Sequence, residues 1–158
     1  MSLTGNISGC LAKKKGGGLY NRGELTLVGD ITDCNARLEG GGGVFTDMGY
    51  SCIMGNIINC TAKKEGAAVH TASAGHDRTC KTVVDGNSGA IVNCQTEQGG
   101  SAAYTDYGCY TSVKVIINGG VPPTEGAGTT TVGSLIDGSD MNKKSKEKST
   151  KRNLQREI

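Results

Sequence analysis

Hydrophobic and polar positions along this chain fall into short alternating pieces, none of them long enough for an ordinary helix. Gly43-Val44-Phe45-Thr46, Ser51-Cys52-Ile53-Met54 and Ile57-Ile58-Asn59-Cys60 are three such pieces in succession, separated by turn residues. Alternation over a few positions, rich in β-branched side chains, predicts half-buried strands. The pattern then recurs. Ile-x-x-Cys stands at Ile7/Cys10, Ile31/Cys34, Ile57/Cys60 and Ile91/Cys94, with cysteine intervals of 24, 26 and 34 residues. Ahead of each copy lies Gly5-Asn6, Gly29-Asp30, Gly55-Asn56 or, three residues further off, Gly86-Asn87. Two places past each Cys comes Ala12, Ala36, Ala62 or Thr96, followed by a run of small residues at 16–18, 40–43, 66–68 and 99–102. Each run leads into a pair: Leu19-Tyr20, Val44-Phe45, Val69-His70, Ala103-Tyr104.

A repeat of this length with three short strands and three bends predicts one coil of a stacked array. Coils stacked at the interstrand spacing of about 4.8 Å would align equivalent positions into ladders along the axis. The expected fold is all-β: a right-handed parallel β-helix (a solenoid) of about four to five coils of three short strands, followed by a disordered C-terminal tail. The hand follows from the general rule for parallel crossovers. Ile7, Cys10, Ile31, Cys34, Ile57, Cys60, Ile91 and Cys94 are the predicted interior ladder. An odd offset puts two residues on opposite faces of one strand, so a bend between Ile and Cys is required for both to point inward.

These residues resemble the short motifs of the chlamydial polymorphic outer membrane protein repeats. That family alternates Gly-Gly-Ala-(Ile/Leu/Val) with Phe-x-x-Asn. Gly17-Gly18-Leu19, Gly42-Gly43-Val44 and Ala67-Ala68-Val69 approximate the first motif; at the second, Ile stands for Phe and Cys for Asn in all four copies. The resemblance covers roughly residues 3–120 and implies a surface β-helix, in adhesins or autotransporter passengers, at the cell surface or outside the cell. A glycan or a host or cell-surface protein is the partner it implies. Other β-helices of the pectin-lyase-like kind are polysaccharide lyases and hydrolases, which supplies the alternative, an enzyme or a decayed relative of one.

Composition now makes sense. The chain has 26 Gly, a single Phe and no Trp, and Leu, Ile, Val and Phe make up only 29 of its 158 residues. Such a shortage of large apolar groups borders on that of disordered chains, but those also carry a high net charge and this chain carries +2. A thin coil interior needs only one small side chain per inward position, and the glycine runs are expected at bends that require positive φ. The domains predicted are a β-helix over 3–120, a Gly/Thr/Ser-rich cap or linker over 121–140 containing one alternating stretch from Thr129 to Ile136, and a basic tail over 141–158. The tail holds seven Lys and Arg against two Glu, enough for weak polyanion binding. The first coil begins at its second strand without a polar cap, which predicts end-to-end self-association or further flanking coils. No segment reaches the roughly 18 apolar residues of a membrane span, and no secretory signal opens the chain, which places it in the cytoplasm if it is complete.

Candidate chemistry is sparse. No Cys-x-x-Cys, Ser/His/Asp order, phosphate loop or nucleic-acid motif is present, so no catalytic residue, metal site or cofactor is predicted. The extra residues between Val69 and Ile91 carry His76, Asp77 and Arg78, the best local cluster for binding on an inserted loop. Asp47 and Asp106 follow equivalent strands of different coils, with Ala72 between them. They are predicted to share one side of the helix about 10 Å apart. Turn chemistry accounts for two such Asp residues without a ligand; as a pair they are also the second binding candidate.

Overall fold

The computed structural model describes residues 1–73, 80–85, 90–119 and 128–136. All eighteen elements among these residues are strands, and all their pairings are parallel. The chain visits three sheets in a fixed order and then begins again. Sheet A takes Ser2–Thr4, Glu24–Val28, Tyr50–Met54 and Lys81–Val84, and after a break in each repeat Ile7–Ser8, Ile31–Thr32, Ile57–Ile58 and Ala90–Val92. Sheet B holds Leu11–Ala12, Asn35–Ala36, Thr61–Ala62 and Gln95–Thr96; sheet C holds Leu19–Asn21, Val44–Asp47, Val69–Ala72 and Ala103–Thr105. The two halves of sheet A join in the unbroken strand Tyr110–Ile117, against which Thr129–Ile136 pairs.

Each repeat therefore has four strand pieces rather than the three read from the sequence. The third ends at Ile58; Cys60 lies beyond a sharp bend and leads into Thr61–Ala62. That bend is the one the Ile-x-x-Cys spacing requires. The residue before each Cys takes a left-handed conformation: Gly9 (φ 64°), Asp33 (54°), Asn59 (54°) and Asn93 (53°). Asn and Asp tolerate this region better than other non-glycine residues. Ile31, Cys34, Ile57, Cys60, Ile91 and Cys94 are consequently all buried, with Ile7 and Cys10 packed on the end of the same cluster. Isoleucines 7, 31, 57 and 91 stand in register, and each interior one contributes about 1.5–3 kcal/mol of burial. The column continues to Ile116, followed by Asn118 (φ 52°) and Gly119. Ile116-Ile117-Asn118-Gly119 is thus a fifth copy, with Gly where Cys stood; a Cβ at Gly119 would lie 2.5 Å from the Ile116 side chain.

The recurrent Gly-Asn or Gly-Asp ahead of each motif has a role of its own. Oδ1 of Asn6 accepts from the backbone N–H of Asp30 (2.9 Å), Asp30 Oδ1 from Asn56 (2.7 Å) and Asn56 Oδ1 from Ala90 (3.2 Å). Each side chain ties its repeat to the next where sheet A is interrupted. In the small-residue runs, bend geometry explains only part of the glycine. Gly16, Gly41, Gly66 and Gly99 have positive φ, but Gly17, Gly18, Gly42 and Gly43 do not. Those four are small because the stacked backbones leave no space for a side chain.

A buried polar column runs beside the apolar core. Thr46, Thr71 and Thr105 of sheet C face Ser51, Thr82 and Thr111 of sheet A, all buried. Their hydroxyls bond alternately across the corner: Thr46 to Ser51 (2.7 Å), Thr82 to Thr46 (2.8 Å), Thr71 to Thr82 (2.8 Å) and Thr105 to Thr111 (2.7 Å). Thr71 and Thr111 are 2.7 Å apart, as are Thr105 and Thr130. A hydroxyl has one proton. Since Thr71 donates to Thr82 and Thr105 to Thr111, the remaining two bonds must run from Thr111 to Thr71 and from Thr130 to Thr105. The result is a chain of one polarity from Thr130 to Ser51, in which each intervening hydroxyl donates once and accepts once.

Candidate ligand-binding groove on sheet C

Side chains alternate along the strands of sheet C. Val44, Val69 and Ala103 point inward, so the residues after them point out, and the registry stacks Tyr20, Phe45, His70 and Tyr104 into one outer ladder. Successive ring centroids are 5.8, 4.7 and 4.9 Å apart, the first pair stacked and the last edge-on. The ammonium of Lys15 sits 4.3 Å from the Phe45 centroid and 5.5 Å from that of Tyr20, closing the ladder over Phe45. Beside the rings runs an open groove of about 400 Å³. One wall is Lys15, Glu39, Lys64 and Glu65, from the turns entering sheet C; the other is Asp47, Ala72, Ser73 and Asp106, where its strands end.

The two predicted carboxylates do share this groove. Ala72 pairs with Asp47 and Thr71 with Thr105, so the three repeats place Asp47, Ala72 and Asp106 in line. Each carboxylate has its own partners. Asp47, almost buried, accepts a 2.5 Å hydrogen bond from the Tyr20 hydroxyl and lies 3.6 Å from the Arg22 guanidinium. The bond to Asp47 in turn holds the Tyr20 phenol above its usual pKa. Asp106, more exposed, faces His70, whose Nε2 is 3.6 Å from Oδ1. The Nδ1 atom of His70 is buried with no hydrogen-bond partner among the described residues, packed over Gly40, where a Cβ would come within 2.3 Å of it. Of the two ring nitrogens only Nε2 faces a carboxylate, so Asp106 favours the tautomer with its proton on Nε2.

Neither arrangement is a pair of cooperating acids. Two repeats separate the carboxylates by about 10 Å, beyond the roughly 5–9.5 Å at which two carboxyl groups act on one glycosidic bond. Among the described residues no three His, Cys, Asp or Glu side chains converge as metal ligands. His76, Asp77 and Arg78 lie outside the described residues. The aromatic ladder was present in the sequence as the second residue of each pair after a small-residue run; its outward direction became evident only from the registry of sheet C.

All seven cysteines are free thiols. Cys52, Cys80 and Cys109 lie outside the Ile-x-x-Cys ladder, a position that suggests reactive groups, but Cys80 and Cys109 are as buried as the ladder itself. Burial pushes the Cys34 thiol up to about 11 and, together with the neighbouring Cys80, that of Cys109 up to about 12. Cys60 is raised by its contact with Cys94 and by burial. Since the thiolate is the nucleophile, iodoacetamide at pH 8 is expected to label Cys10 and Cys52 in the native chain and the other five only after denaturation. Peptide mass spectrometry after timed labelling checks this; early labelling of Cys34 or Cys109 would contradict the packing described.

Compared with family models, curated proteins and solved structures, the chain matches none. No helix among the described residues is long and apolar enough to cross a membrane.

Proposed function

We propose that this chain is a non-catalytic segment of a surface or adhesin-like protein, folded as a right-handed parallel β-helix and holding a ligand against the groove of sheet C. The repeated order of three parallel sheets supports the solenoid, and the rule for parallel crossovers supplies its hand. The motif resemblance supports the surface role, with a glycan or a cell-surface protein as ligand. The observation that carries the binding reading is the groove itself. It is open and lined by carboxylates, lysines and ring edges, and its two aspartates are held about 10 Å apart, Asp47 engaged by Tyr20 and Arg22 and Asp106 facing His70. Such a surface can accept sugar hydroxyls, and its two aspartates stand too far apart to act together on one glycosidic bond. The lyase or hydrolase reading makes the opposite prediction in one assay. Incubation with pectin, alginate and related glycans is expected to yield neither unsaturated nor reducing-end products, while a glycan array detects binding that weakens in Asp106→Ala. Accumulation of either product would establish an enzyme instead.

A further inference from the structure

A second surface lies at the corner where sheet B turns toward sheet C. Ala12, Ala36 and Ala62 pair in register, and the residues that follow them are Lys13, Arg37 and Lys63. Backbone bonds from Arg37 N–H to Ala12 (3.1 Å) and from Lys63 N–H to Ala36 (3.2 Å) keep these three in line, one per repeat. Lys14 and Lys64 stand next to them in the first and third repeats. Lys13, Lys14, Arg37 and Lys64 are exposed and Lys63 is half-buried. Among the described residues, none of the five is in an ion pair. Like charges directly opposite one another on neighbouring strands destabilise a sheet. Three in succession at about 4.8 Å spacing form a line of unneutralised positive charge along the axis.

We propose that this ladder is a binding site for a linear sulfated glycan, its anionic groups spaced along Lys13, Arg37 and Lys63. None of these three residues lines the groove, which meets this corner only through Lys64, Glu39 and Glu65, and the site goes beyond the function proposed above. The shape argues for a linear polyanion rather than a membrane: the cations form one row, bordered by Glu39, Glu65 and Glu97 rather than widening into a basic face. Those same carboxylates select among polyanions. They can accept hydrogen bonds from the free hydroxyls of a sulfated glycan, groups that the backbone of a DNA strand lacks. Unpaired bases also need aromatic faces to stack on, and no aromatic residue stands in the segments 11–14, 35–38 and 61–64 that carry this row.

The test uses the full chain, so that the basic C-terminal residues contribute equally to every arm, and heparin as the probe. The native chain is expected to bind immobilised heparin and to release it as salt rises. The triple variant Lys13→Gln, Arg37→Gln, Lys63→Gln should bind on the order of tenfold more weakly, with its circular dichroism unchanged. The charge-conserving variant Lys13→Arg, Arg37→Lys, Lys63→Arg should keep its affinity, which separates lost charge from lost fold. Native affinity in the Gln variant would overturn the assignment to this ladder, as would a native chain that fails to bind. Equal competition by an oligothymidylate of matched charge would overturn the glycan class. Loss of groove binding to neutral glycans would leave these outcomes unaffected.

Discussion

Gly42→Val is expected to destabilise the chain by about 3 kcal/mol or more, a large share of the roughly 5–15 kcal/mol that holds a small domain together. A Cβ at position 42 would lie 2.1 Å from the carbonyl oxygen of Thr61 and 2.4 Å from that of Ala67. Both are backbone atoms of the next repeat, and no rotamer change moves them aside. The repeats would have to separate locally, which would break the bonds that Gly43 N–H makes to Ala67 (3.1 Å) and Val44 N–H to Ala68 (2.7 Å). Each contributes about 1 kcal/mol net and more if its groups are left buried and unpaired. Gly23→Ala is the matched control. Nothing lies within 4 Å of a Cβ there, and its stability is expected to stay within about 0.5 kcal/mol of the native value. Urea unfolding followed by far-ultraviolet circular dichroism compares the two. Equal midpoints would mean that the repeats do not stack at the distance described.

The second large effect is expected from Thr71→Val, which cuts the hydroxyl chain at its middle. Thr71 accepts from Thr111 and donates to Thr82, and all three are fully buried. Valine fills the space but leaves the Thr111 hydroxyl with a proton and no acceptor, at about 1–3 kcal/mol. Thr71→Ser keeps the bonds and loses one methyl group, so it should cost only about 1 kcal/mol. The ordering, with Ser milder than Val, is what distinguishes a polar chain from ordinary packing; a buried apolar site would prefer Val. In the double variant Thr71→Val, Thr82→Val the losses should be less than additive, because the second substitution removes a group already stripped of its donor. Unfolding curves of the native chain and of the four variants, Thr82→Val alone included, check both statements.

The legible and illegible parts of this protein divide along one line. The Ile-x-x-Cys spacing required a bend, and Asp33, Asn59 and Asn93 supply it with left-handed backbone. The equivalence of Asp47 and Asp106 followed from the same counting and survives in the groove. Three readings from local pattern were incomplete. Thr46 and Thr105 carry no mark in the sequence of being buried, and they point inward because a hydroxyl can be buried when the facing sheet offers Ser51 or Thr111. Glycines at 17, 18, 42 and 43 looked like bend residues and are instead places where backbones meet. Ile116-Ile117-Asn118-Gly119 escaped the repeat because its Cys is replaced by Gly.

What the sequence determined by itself was whatever depends on distance along the chain: strands too short for helices, the length of the repeat, the bend inside the Ile-x-x-Cys motif, and the residues that recur at each turn of the array. The tertiary structure alone decided what depends on distance across repeats. Whether Phe45 and His70 form a ladder, whether Lys13, Arg37 and Lys63 line one corner, and whether a threonine is inside or out are settled by registry between strands 24 to 34 residues apart. Registry reverses the face of a strand for every residue of slip. It is fixed here by the stacked isoleucines and the Asn and Asp side chains that join one repeat to the next.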